Sequence, residues 1–107
     1  MAGALPGVSA AFQAFLAEAP RHSAAWSDVA RALESASALD KKTATLAYIA
    51  VLAALRLESG IPFHVRLAKH AGASRDEIIS AVLIGLPAAG HGVTQSLPAA
   101  IAAWDAA

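Results

Sequence analysis

Acid–base chemistry near neutral pH needs a histidine or a carboxylate with a shifted environment, and this chain holds four histidines, His22, His64, His70 and His91. They differ in setting. His64 belongs to the segment Ile61–Ala71, which reads as a helix. At about 100° per residue, Arg66, Lys69 and His70 fall on one side of it and Ile61, Leu67, Ala68 and Ala71 on the other. His64 lands in the middle of the apolar side. A ring aimed inward there needs a hydrogen-bond partner, and it can give or take a proton as a general acid or base. The plainer reading is a core histidine bonded to a backbone carbonyl. His91, flanked by Gly90 and Gly92, stands where a ligand can approach the backbone closely. His70 reads as solvated and His22 as a loop residue.

Other groups lie close to His64 in sequence. Glu58 is a candidate second acid–base group, and Arg56, with His91, can orient an anionic substrate. Ser59 permits a serine, histidine and acid arrangement to be drawn, but no strand-and-elbow motif surrounds it, and Ser59-Gly60 reads as a turn. Ser59 is therefore kept only as a weak substrate-binding candidate. No metal site is expected: His64 and His70 point far apart on one helix, and no histidine pair has the four-residue spacing that puts two ligands on one face. No cofactor motif is present.

The elements that must position these groups are helices. Apolar residues make up 57% of the 107-residue chain while aromatics are only 6%, so alanine and leucine dominate, a composition that favours helix over strand. Val8–Ala19 carries Val8, Phe12, Phe15 and Leu16 at helical spacing and stops at Pro20. A second helix is expected over Ala24–Glu34 with Ser23 as its cap. Asp40 caps a third, running to Leu57, with Leu39 packing on its first turn. Leu46 through Leu55 is apolar on every side, which predicts that part of this helix is covered by another subunit. Pro62 starts the fourth helix and Gly72 ends it. Ser74 and Glu77 form a capping box for the fifth, which runs to Leu86 before Pro87. The last segment, Ala88–Trp104, is expected to begin irregularly at Gly90-His91-Gly92 and to be kinked or divided by Pro98.

Several function classes are excluded or disfavoured by composition. Eight basic residues balance eight acidic ones with no basic stripe, so nucleic acid is not an expected partner. The chain has no cysteine, which removes thiol redox chemistry and thiolate metal sites. Ala44–Leu55 is well short of the roughly 20 residues that span a bilayer, and Met1–Ala11 does not read as a secretory signal. No membrane partner and a cytoplasmic location are the expectations.

The pieces Leu39-Asp40-Lys41-Lys42-Thr43, the apolar helix, Ile61-Pro62-Phe63-His64-Val65-Arg66 and Ala71-Gly72-Ala73-Ser74-Arg75-Asp76-Glu77-Ile78 occur in an order that resembles the carboxymuconolactone decarboxylase and alkylhydroperoxidase-D-like family, over roughly Leu39 to Val93. The resemblance implies an all-α domain of about six helices, assembled as a trimer or hexamer. One compact domain is expected, with residues 1–38 as an N-terminal helical segment and 39–107 as the family-like core. In the family's peroxidase branch a Cys-x-x-Cys pair precedes the histidine and a glutamate upstream completes a proton relay. The matching positions here are Leu57, Gly60 and Thr45, leaving His64 alone. A thiol peroxidase needs one thiol to attack and another to resolve, so that activity is not expected. The decarboxylase branch, which acts on a lactone dicarboxylate with polar groups, has a matching histidine, but its earlier acid position falls on Gly60, with Glu58 offset.

Two readings follow. One is a small-molecule lyase or isomerase with His64 as general acid or base. The other is a non-catalytic oligomeric binding or scaffold protein that has lost the family's active residues.

Overall fold

The computed structural model describes residues 7–106, and every regular element among them is helical. Six α-helices of nine residues or more account for most of it: α1 (Ala10–Glu18), α2 (Pro20–Ala36), α3 (Lys41–Ala54), α4 (Ile61–His70), α5 (Arg75–Leu83) and, after a four-residue turn of helix α6 (Leu86–Ala89), α7 (Leu97–Ala106). Short 3-10 segments, Glu58–Gly60 and Gly90–Ser96, lead into α4 and α7.

The caps explain most boundaries. Asp40 accepts from the Thr43 N–H at 2.8 Å and opens α3. Ser74 and Glu77 make both bonds of a capping box at the head of α5. Gly72, at φ 99°, turns the chain out of α4 through a left-handed conformation that side chains disfavour.

Several boundaries differ from the sequence-based expectation. Helix α5 ends at Leu83 rather than Leu86, and Leu86 and Pro87 instead open α6. Helix α2 begins at Pro20 rather than Ala24, because a proline is well placed in a first turn that has no use for its missing N–H. Ser23 is therefore inside the helix, its hydroxyl donating back to the Pro20 carbonyl at 3.1 Å. Helix α3 ends at Ala54, not Leu57, since Arg56 adopts φ 62°. Pro98 starts α7 instead of dividing it, and the glycine-bearing stretch before it is a 3-10 helix.

The core is built where α3, α4, α5 and α7 pack together. Ile49, Leu52 and Ala53 from α3 meet Ile61, Val65 and Ala68 from α4, Ile78 and Val82 from α5, and Ala100 and Ala103 from α7. Small alanines on three of these faces, in α3, α4 and α7, let the helix axes come close, which suits so short a chain. The stretch from Arg75 to Ala106 is apolar enough to cross a membrane by length and composition. It is broken at Gly90, φ 80°, and its two main helices α5 and α7 pack on each other. The N-terminal pair behaves differently: α2 packs extensively only against α1.

Candidate functional site

His64 lies in the first turn of α4, between two aromatic rings. Tyr48 of α3 stacks obliquely on its imidazole at 4.6 Å between centroids, and Phe63 meets it edge-on at 5.3 Å. The ring nitrogen Nδ1 stands 2.8 Å from the Gly60 carbonyl oxygen. A carbonyl only accepts, so Nδ1 is the nitrogen that carries the proton in this contact, and in the neutral ring Nε2 is the one with the lone pair. The backbone carbonyl thus does for this ring what an aspartate does for the histidine of a hydrolase triad, holding one tautomer and one orientation.

The ring is half-buried. The buried line of α4 is Ile61, Val65 and Ala68, and His64 sits on the flank of that line rather than at its centre. A flank position keeps the ring partly exposed while Tyr48 covers part of one face. The chain before α1 also reaches this turn. Gly7, at φ 82°, lies so close on the head of α4 that a Cβ there would stand 2.9 Å from the Phe63 nitrogen and 3.2 Å from the Pro62 carbonyl carbon. Only glycine fits against backbone at that distance.

Among the other predicted groups, Glu58 falls in the 3-10 segment just before α4, and its Oε2 is buried with no hydrogen-bond partner. No hydrogen bond joins it to His64 among the described residues; the orienting contact is the Gly60 carbonyl. Ser59 is exposed and also unbonded to His64. Thr45, at the position matched to the family's relay glutamate, is buried, and its hydroxyl donates to the Lys41 carbonyl at 2.7 Å. Its proton is committed to the helix backbone, so no relay runs through it.

Arg56 and the His91 segment come together. The guanidinium lies over Gly92, where a Cβ would stand 3.0 Å from its Cδ and Nη1. Arg56 is exposed and makes no ion pair among the described residues. His91 is exposed at the head of the 3-10 segment, and its carbonyl accepts from the Thr94 hydroxyl at 2.8 Å. No group of three or more metal-ligating side chains gathers among the described residues. An open notch at the turn between α1 and α2, lined by Glu18, Pro20, Arg21 and His22, is made by the change of direction at Ala19. It lies on a different helix pair from His64 and gathers no reactive set.

Tyr48 and the Gly60 carbonyl escaped the sequence reading. Tyr48 is the only tyrosine in the chain and stands in a run of aliphatic residues, which was the one available signal. A carbonyl four residues before a first-turn histidine carries no signal of its own.

The described residues form an all-helical scaffold that presents one candidate acid–base group, His64, held by a backbone carbonyl at the head of a proline-started helix, in a chain without a thiol. The family model described as the carboxymuconolactone decarboxylase family matches residues 20–107, and the chain belongs to that family. No curated protein and no solved structure gives a significant match.

Proposed function

We propose that this chain is a carboxymuconolactone decarboxylase-like lyase or isomerase, acting on a small organic anion with His64 as general acid and base and without thiol peroxidase chemistry. The observation that carries the reading is the 2.8 Å contact between His64 Nδ1 and the Gly60 carbonyl. It leaves Nε2 as the acceptor and requires no carboxylate to orient the ring.

The chemistry is simple to write. Loss of carbon dioxide from a carboxylate next to an electron-accepting group leaves a carbanion in enolate form. That carbanion needs one proton on carbon: the imidazolium form of His64 gives it from Nε2, returns to the neutral ring protonated at Nδ1, and regains the Nε2 proton from water before the next turnover. In an isomerisation the same nitrogen takes a proton from one carbon and returns it to another. Arg56, exposed over Gly92 and without an ion-pair partner among the described residues, supplies charge for the substrate carboxylate. Glu58, whose buried Oε2 has no partner, is the second acid–base candidate. We further propose a homo-oligomer, a trimer or hexamer, in the cytoplasm.

The test is turnover of a panel of lactone dicarboxylates by the wild-type chain and by His64→Gln. Activity in the wild type that falls at least a hundredfold in the variant, at unchanged oligomer size, supports the reading. Equal activity in both removes His64 from the mechanism.

One observation favours a non-catalytic binding protein instead: Thr45 is bonded to its own helix, and among the described residues no side chain donates to or accepts from His64. On that reading the panel yields ligands without turnover, and His64→Phe is tolerated.

A further inference from the structure

Helix α2 is amphipathic and packs on α1, yet leaves much of its apolar side open. Trp26, Val29 and Leu33, spaced three and four residues apart, form one stripe and are 48%, 48% and 63% exposed. Helix α3 carries a second stripe of the same spacing and length: Tyr48, Val51 and Leu55 are 46%, 49% and 62% exposed on the side away from Ile49, Leu52 and Ala53. Two apolar seams of two turns each, with matching three-and-four spacing, are what helices use to pack side by side.

The six large apolar side chains of the two stripes are each 46% or more open, two apolar surfaces of the kind that mark a site of association. The two stripes are not packed on each other within one chain, for α2 and α3 make few contacts. Ser37 and Asp40 are both extended, the Ser37 hydroxyl accepts from the Leu39 N–H at 3.1 Å, and Glu34 pairs with Lys41 across the bend.

We infer that α2 is an exchanged arm: the Trp26, Val29 and Leu33 stripe of one chain packs on the Tyr48, Val51 and Leu55 stripe of a second copy. This rests on the homo-oligomer proposed above and names the surface that makes it. It also completes the site. Tyr48 is at once an end of the α3 stripe and the ring stacked on His64, so the arriving arm closes the Tyr48 side of the imidazole. Parallel packing brings Trp26 over Tyr48 and antiparallel packing brings Leu33; Val29 meets Val51 in both.

The absence of cysteine makes the test clean. Val29→Cys and Val51→Cys chains, one carrying a mass tag, are mixed, exchanged and oxidised; the double variant is oxidised separately. The expected result is disulfide-linked heterodimer in at least tenfold excess over either linked homodimer, and linkage between chains in the double variant. Sedimentation of Val51→Glu, with helicity checked by circular dichroism, should show a shift to a smaller species. An intrachain disulfide in the double variant would mean that α2 folds back on its own α3, and overturns the exchange. Random or absent linkage in a chain that still sediments as an oligomer also overturns it, while leaving the oligomer itself standing on another face.

Discussion

The side chain of Arg56 lies over Gly92, so close that a Cβ at position 92 would stand 3.0 Å from its Cδ and Nη1 and push it aside. Arg56 itself is the only residue other than glycine with positive φ among the described residues. Such a conformation costs a side chain about 1 kcal/mol or more, and an exposed residue held that way gains nothing for the core. Arg56→Gly should therefore leave stability within about 1 kcal/mol of the parent or raise it, while weakening the binding of a dicarboxylate ligand. Chemical denaturation and calorimetric titration measure the two effects separately. A large loss of stability with unchanged binding would assign Arg56 to the fold alone.

Gly92→Ala probes the same pair from the other side. The added methyl meets the Arg56 side chain and not backbone, so the side chain moves and the fold survives. Ligand affinity should fall in parallel with Arg56→Gly, and the double variant should be no worse than the worse single one, the signature of a shared interaction.

The acid limb of stability is fixed by caps and one surface pair. The Thr43 N–H holds Asp40 below the usual carboxylate range, the Ser74 N–H together with Lys42 does so for Glu77, and Arg75 does so for Asp105. Each contributes stability that is fully present above about pH 4, the ordinary range of these groups, and is lost as pH falls through the lower folded values. Melting temperature should be flat from about pH 7 to 5 on account of these groups and decline below about pH 4. Glu77→Gln should make that decline shallower.

The core prediction is local. Ile49 is fully buried where α3 meets α4 and α5, and Ile49→Ala should cost about 3 kcal/mol. Ser74→Ala, which removes one bond of the capping box, should cost about 1 kcal/mol. Urea unfolding of both variants gives the comparison; equal costs would contradict the placement of the core.

Much of the scaffold was legible in the sequence because it rests on local rules. Asp40, Ser74 with Glu77, Pro62 and Gly72 each do what their types dictate within one turn. The errors at Pro20 and Pro98 share one cause: a proline breaks a helix from inside and begins one from its first turn, and the sequence alone does not say on which side the helix lies. At the site, His64 was visible by type and by the apolar company it keeps. Its partners were not, since Tyr48 arrives from another helix and the Gly60 oxygen is backbone. The contact of Arg56 with Gly92 joins residues far apart in the chain and could be read only from the fold.

The acid–base role proposed for His64 turns on which nitrogen the Gly60 carbonyl engages. Long-range proton–nitrogen correlation spectra of the nitrogen-15-labelled chain, assigned by comparison with His64→Gln, report the tautomer of that ring without any substrate. In the neutral form of the ring the proton is expected on Nδ1, against the Gly60 carbonyl, with the Nε2 resonance moving when a dicarboxylate is added. A neutral ring protonated at Nε2, with Nδ1 bare, would contradict this, because the Gly60 carbonyl would then hold nothing and Nε2 would not be free to take a proton from substrate.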